Sequence, residues 1–462
     1  MDNAALRMKD GALVEKESVD AFRKAFRGEV LLPGEAGYDA ARTVWNAAID
    51  RRPGLIARCR TQNDVVLAVQ FARANGILLA VKGGGHNVAG RGLCDHGVVI
   101  DLSPMNKVSV DPASRTVEVE GGALLADLDR ETHVYGLAVP SGVVSKTGVG
   151  GLTLGGGAGW LTRKYGLTCD NLISCKLVNA IGETIVANAA TNPDLYWGLR
   201  GGGGNFGVVT SFLFQAHPVS TVLGGLVLYS RDQAMPLLRH FRQVMEEAPD
   251  ELTVIALLAA TPDGAPIAGI GACWCGDLGE GVRALAPLRE FGSPILDAIA
   301  PTPFPAMQML ADESSPNEMH NYWKGSSLDA LSDPAIELLV EHANRAASPL
   351  SHIVVVRNGG AMARVAPDQT AFAHRRAKYT VMIEATWGDA DESPQHVAWA
   401  QQAYEALRPH ATNRLPLNFL GEEDSDAVRR AFGDNYERLV ALKTKYDPTN
   451  FFSLTQNILP AS

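Results

Sequence analysis

The segment Lys82-Gly-Gly-Gly-His86-Asn87 sets a histidine directly after three glycines, at the end of the apolar run Ile77–Lys82. Successive N–H groups in a glycine turn form a concave nest that takes up phosphate oxygens, and the imidazole stands at its mouth. Taken alone, the fragment reads equally as a tight turn followed by a surface histidine. A second segment, Gly148–Gly159, holds seven glycines in twelve residues. Such a run loses too much chain entropy to form a regular helix or strand, so a loop held rigid by its surroundings or by a ligand is expected. Its companions Val149, Leu152, Leu154, Trp160 and Leu161 are apolar, unlike the polar residues of a flexible linker. A third segment, Leu199–Val208, contains a GxGxxG match through Gly202, Gly204 and Gly207. A Rossmann fingerprint follows a first strand and opens a helix. Here Val208–Phe214 reads as a strand with Pro218 soon after, so that reading is rejected.

The elements around these segments are mixed. Thr61 opens a helix in a capping-box-like arrangement with Asp64, an apolar face runs through Val65, Val66, Val69, Phe71 and Ala72, and Gly76 ends it. Ile77–Lys82, Val98–Leu102 and Thr116–Glu120 read as strands and Ala123–Tyr135 as a helix. From about residue 216 the texture changes. Val222–Tyr229, Val254–Ala259, Ile267–Trp274, His352–Val356 and Tyr379–Trp387 read as strands, with helices near 232–247, 279–291, 334–346 and 393–407 between them. That alternation predicts a second sheet with helices on one face. Residues 435–460 read as a helix followed by an irregular tail.

Bulk composition bounds the function. A chain of 462 residues exceeds one compact core, so two or three domains are expected. The net charge of −10 disfavours nucleic acid or an anionic membrane as partner. No run approaches 18 apolar residues and the N-terminal stretch has no signal-peptide core. Six scattered cysteines make neither a disulfide framework nor a zinc site, so a reduced, cytoplasmic protein is the default. Glycine is the outlier: of 46, 15 fall within 83–85, 148–159 and 201–207, which means main chain passing close to something.

In this order, the segments resemble the FAD-linked oxidases of the vanillyl-alcohol oxidase superfamily, most of all the berberine-bridge-enzyme-like branch. The matching pieces are Lys82–Asn87, Val98–Leu102, the Gly148–Gly159 run continuing into Arg163–Leu167 and Asp170-Asn171, Asp194–Gly207, Tyr322-Trp-Lys324, Asn435–Leu439, Lys443, Tyr446–Asn450 and Gln456-Asn-Ile458. They span nearly the whole chain. The resemblance implies an α+β protein: a two-part FAD-binding domain of the PCMH type at 1–215, completed by 426–462, and a central antiparallel-sheet substrate domain with helices on one face at 216–425. It implies FAD on Lys82, Gly83, Gly84, Gly85, His86 and Asn87, on Val144, Thr147, Gly148, Gly151, Thr153, Gly155, Gly156, Gly157 and Gly159, on Asn205, Gly207 and Val208, and on Asn457. It also implies a covalent bond from His86 to the flavin 8α-methyl. Many relatives add a second link from a cysteine shortly before the long glycine run; Val144 stands there, so a single link is expected. Main-chain N–H groups of both glycine segments would neutralise the pyrophosphate, which lets an acidic protein bind a dianionic cofactor.

Flavin oxidases take a hydride while a base removes a proton from the substrate. Relatives often use a tyrosine just before the Asn435 motif, where this chain has Ala431 and Phe432. The strand Tyr379–Trp387 offers a substitute, because period-two alternation points Met382, Glu384 and Thr386 one way. Glu384 is then either a base facing the flavin or an ordinary ion-paired glutamate, for example with Arg375. Tyr322 and Lys324 are further pocket candidates, Trp323 is expected in the core, and His320 and His374 are expected to be structural or on the surface. The expected function is oxidation of a small organic molecule (alcohol, sugar or secondary metabolite) with O2 as electron acceptor, by a monomer or homodimer. A same-fold dehydrogenase with another acceptor, an oxidative cyclase and a non-catalytic flavin-binding module are the alternatives.

Overall fold

The computed structural model describes residues 5–412, 415–421 and 425–461. Residues 1–4 of the N-terminal stretch lie outside that range, and the boundary expected at 425/426 adjoins residues 422–424, which also lie outside it.

Three large sheets dominate the described residues, with a two-stranded pair of Leu137–Ala138 and His217–Pro218 beside them. In the first, β1 (Glu29–Leu31) pairs antiparallel with β2 (Leu55–Arg58), and β3 (Leu79–Lys82) and β4 (Val98–Asp101) complete a parallel set in the order β1-β2-β4-β3. Between β2 and β3 runs α1 (Gln62–Ala74), with the expected capping box between Thr61 and Asp64, an arrangement worth about 1 kcal/mol. Val65, Ala68, Val69, Phe71 and Ala72 of α1 are buried against this sheet. Each large apolar side chain so placed contributes roughly 1.5–3 kcal/mol. The parallel pairing delivers β3 to the first glycine turn.

The second sheet is antiparallel, made from β5 (Val108–Asp111), β6 (Thr116–Glu120), β7 (Leu172–Val178), β8 (Thr184–Asn188) and β9 (Val208–Gln215) in the order β5-β6-β9-β7-β8. Residues 415–421 and 425–461 return to it, where Leu417, Phe432, Leu439, Leu442 and Ile458 join Phe206, Phe212 and Phe214 in one core.

The third sheet has eight strands, all antiparallel. Its long strands are β10 (Thr221–Ser230), β11 (Leu252–Ala260), β12 (Pro266–Trp274), β13 (His320–Leu328), β14 (His352–Arg357) and β15 (Tyr379–Trp387), in the order β10-β12-β11-β14-β15-β13. Two short strands edge β10. Helices 234–244, 278–289, 333–343 and 393–407 cover one face through a core that includes Phe241, Ile336, Trp399 and Val381. The other face is left to the cavity. The α+β class and the one-sided helical layer agree with the sequence expectation; of the six long strands of this sheet, periodicity missed β13, met only through its Tyr-Trp-Lys motif.

One correction concerns the glycine-rich segment. Val149–Leu154 forms a short helix inside the run expected to be loop throughout. Val149 is fully buried, and the buried Thr153 hydroxyl donates to the Val149 carbonyl at 2.7 Å. Anchoring at those two positions offsets the glycine entropy for one turn and a half.

Candidate active site

The first and second glycine segments meet. A Cβ on Gly84 would lie 2.5 Å from the Gly148 nitrogen, and one on Gly148 would lie 2.4 Å from the Gly84 nitrogen. Only glycine at both places lets these main chains touch. Gly85, at φ +66°, then turns the chain so that His86 enters the space between the halves. The N–H groups of Gly83, Gly84, Gly85, His86 and Asn87 donate to no acceptor among the described residues, which is the condition of an anion nest.

Between the glycine segments and the open face of the third sheet lies one cavity of about 850 Å³, at the upper end of cofactor and ligand sites. Of the residues expected to hold the cofactor, Lys82, Gly83, Gly84, Gly85, His86, Asn87, Val144, Thr147, Gly148, Gly151, Gly155, Gly157, Gly159, Gly207 and Val208 line it. Lys82 is held from behind, its ammonium donating to the Ala41 carbonyl at 2.5 Å and facing Asp101 at 3.5 Å. Four expected contacts are corrected. Thr153 is turned into its own helix. Gly156 backs onto Phe372. Asn205 is fully buried and ties the C-terminal strap, donating to the Gln456 carbonyl at 3.1 Å and accepting from Ile458 N–H at 3.0 Å. Asn457 is outside the cavity wall, one residue past Gln456, which lines it. Arg91, Gly203, Gly204, Asn418, Thr455 and Gln456 line the cavity without having been assigned to the cofactor; the two glycines lay in the third glycine cluster and Gln456 in the C-terminal matching piece, whereas nothing in the local sequence marks Arg91, Asn418 and Thr455.

His86 is the group most out of balance. Its Nε2 is buried and finds no hydrogen-bond partner among the described residues, and burial pushes the imidazole down to about 4, so it is neutral near pH 7. Trp45 stacks on it with ring centroids 4.4 Å apart and planes at 12°. Trp45 in turn meets Trp323 edge-on at 5.3 Å. A neutral, clamped imidazole with an unused nitrogen suits attachment to a ligand in this cavity.

The opposite wall comes from the third sheet. Val354, Val356, Met382, Ile255 and Leu257 make it apolar. Glu384 reaches the cavity from β15, on the face that alternation gave it, and so does Met382. Its partner is His352 of β14, with Nε2 and Oε2 3.2 Å apart. Arg375 is not available to it, being fully buried in a bidentate pair with Asp170 at 2.6 and 3.0 Å. The candidates on β13 are corrected by one residue. Trp323, opposite Glu384 in the strand pairing, lines the cavity. Tyr322 and Lys324 point to the helical side, where Gln401 donates to the Tyr322 hydroxyl at 3.2 Å and Lys324 lies over the Tyr404 ring. Tyr322 and Tyr404 pack at the rim of the helical-side core, and the indole of Trp323 goes to the cavity roof. His374 is buried, with Nε2 donating to the Ala431 carbonyl at 2.5 Å, and His320 stacks on Trp387. His374 also lines the cavity, whereas His320 does not. Ala431 and Phe432, where relatives carry a tyrosine, are core residues.

Comparison with known proteins agrees with this geometry. Residues 53–188 match the family described as FAD binding domain, and residues 387–459 match the family described as berberine and berberine like. A FAD-linked oxidoreductase of Dictyostelium discoideum is 34% identical over 448 residues, covering 96% of this chain and 97% of that protein. The (R)-6-hydroxynicotine oxidase of Paenarthrobacter nicotinovorans is 31% identical over 446 residues, covering 94% and 97%. The crystal structure of 6-hydroxy-D-nicotine oxidase from Arthrobacter nicotinovorans superposes with a TM-score of 0.88 at 30% identity, over 94% of this chain and 98% of that one. The matched segments carry the glycine turn, the buried imidazole and the C-terminal strap, and the chain belongs to the FAD-linked oxidoreductases of the berberine-bridge-like family.

Proposed function

We propose that the protein is an oxidase that holds FAD through a single covalent bond from His86 and oxidises a small, largely apolar alcohol or amine, with O2 as terminal electron acceptor. The observation that carries this reading is the pairing of two groups across one cavity: the unpartnered Nε2 of His86 on the glycine wall and the Glu384 carboxylate on the roof. Bound FAD supplies a two-electron acceptor. The residues present fit it. Gly83–Asn87 offer free N–H groups for the pyrophosphate, and Gly84 and Gly148 stand where a Cβ would close the cradle. Val144 lines the cavity where a second link would need a sulfur.

Glu384 binds the substrate's O–H or N–H and accepts its proton as the C–H bond is broken. Met382, Val354 and Leu257 exclude water from the reacting atoms and favour an apolar substrate body. Relatives named as oxidases support O2 as acceptor. A cytoplasmic location fits six free, buried cysteines, and among the described residues no helix is long and apolar enough to cross a membrane. Domain limits near residues 215 and 425 belong to the same reading.

The test is an anaerobic screen of alcohols, amines, phenolics and sugars against the purified holoprotein, following the visible flavin band. An accepted substrate bleaches the band, and air restores it. A band that bleaches but recovers only with an artificial acceptor makes the protein a dehydrogenase, and a band that no candidate bleaches removes the catalytic reading.

A further inference from the structure

We propose that His352 is a positioning residue for the reaction: it holds a proton on Nε2 towards Glu384, so that the carboxylate stays ionised and aimed into the cavity. The inference rests on the reading of Glu384 as proton acceptor given above. His352 Nδ1 lies 3.0 Å from the Leu350 carbonyl oxygen, which can only accept, so Nδ1 carries a hydrogen. Nε2 lies 3.2 Å from Glu384 Oε2. With Nδ1 committed as donor, Nε2 has two options: it carries a second proton, or it presents a lone pair to an oxygen. A lone pair against an ionised carboxylate is repulsive, so an ionised Glu384 requires the imidazolium.

The sheet fixes this arrangement. His352 and Glu384 are directly opposite in the β14–β15 pairing, and Trp323 is opposite Glu384 on the other side. The three side chains form a row on the cavity face, the carboxylate flanked by imidazole and indole. Both members of the pair are nearly withdrawn from solvent, at 14% and 15% side-chain exposure. Burial works against the imidazolium, but the hydrogen bond and charge of Glu384, helped by the Leu350 carbonyl, outweigh it and hold His352 above its ordinary value. On the far side of β14, β11 presents Leu257 and Ala259 to the cavity, neither of which titrates. From β13 comes the neutral Trp323. Across the cavity, His86 also feels Glu384, together with Asp312 and Lys146, and is itself neutral. Glu384 is thus the charge that sets His352.

The experiment uses the holoprotein labelled with nitrogen-15 in its histidine rings, with His352→Gln identifying the signals. Those signals are expected to show both ring nitrogens protonated at a pH where free histidine is already neutral. In Glu384→Gln they should titrate lower, with the remaining proton on Nδ1. Glu384→Asp, which keeps the charge but withdraws it by one methylene, should fall between the two and serves if the amide variant does not fold. A neutral His352 in the unsubstituted protein, or a titration unmoved by both variants, overturns the proposal. The flavin-bleaching rate of Glu384→Gln with an accepted substrate tests the base assignment separately. An unchanged rate would remove Glu384 as acceptor without touching the protonation result.

Discussion

Gly151 separates a structural glycine from one that makes room for a ligand. It sits within the helix Val149–Leu154 and lines the cavity, and a Cβ built on it meets nothing within 4 Å. If the space beyond were only solvent, Gly151→Ala would be favourable, because alanine in a helix is better than glycine by about 0.5–1 kcal/mol. If FAD fills that space, the methyl group overlaps the cofactor, an overpacking that costs roughly 1–3 kcal/mol. At 1.4 kcal/mol per decade this weakens FAD binding roughly five- to 150-fold. The two effects have opposite signs in two measurements. Thermal melts of apoprotein report the helix. Fluorescence titration of FAD, in a His86→Ala background that makes binding reversible, reports the cradle. Melting at or above the parent temperature with weakened FAD binding is the expected pair of results. FAD binding as tight as the parent's would show that the cofactor does not lie against this helix, and the assignment of the second glycine segment would fail.

Gly84→Ala acts differently: its methyl lands against Gly148 main chain, which must retreat by about 1 Å, so both fold stability and flavin content should drop, as melting temperature and the ratio of visible to ultraviolet absorbance will show. Acid precipitation of the holoprotein should leave the yellow colour in the pellet, and His86→Ala should move it to the supernatant; colour released from the unsubstituted protein rules out the bond. Arg375→Gln leaves Asp170 without its buried bidentate partner, an expected loss of about 3–5 kcal/mol read by denaturant titration. Asp129 is 2% exposed, and burial pushes its carboxyl up to about 8, so it folds as the neutral acid. The folded value is above the unfolded one, so stability falls as pH rises from about 4 towards about 8 and levels off beyond. Asp129→Asn should remove that slope, and a variant as pH-sensitive as the parent would contradict the burial argument.

The sequence carried the cofactor half of the site better than the substrate half. Glycine clusters are legible because close approach of two main chains tolerates no other residue, and Gly84 and Gly148 are that case. The side of β15 that holds Glu384 was legible too, since a strand's alternation is a local property. The partner of Glu384 was not. His352 is 32 residues away in the chain, and only the pairing register puts it opposite. Register also explains the misreading at Tyr322 and Lys324. The motif offered Tyr322 and Lys324 as pocket candidates and Trp323 as a core residue. At this edge strand the register turns the indole to the cavity, and the helical layer supplies Gln401 and Tyr404 as company for Tyr322 and Lys324. The short helix Val149–Leu154 was hidden because composition argues against it, while two anchoring contacts decide it.

The strap at residues 455–458 imposes an order on biosynthesis. Asn205, in the turn just before β9 of the second sheet, spends its side chain on the backbone of Gln456 and Ile458, and the buried Lys443 ammonium joins the Asn205 carbonyl to that of Phe452. Until residue 458 has left the ribosome, the far wall of the cradle does not exist, even though the glycine turn at 83–85 was made hundreds of residues earlier. Domains that fold vectorially settle as they emerge, but here the amino-terminal part cannot complete its cradle before residues 455–458 are made. The complete cradle is therefore a late product of folding, dependent on contacts between residues about 250 apart in the chain.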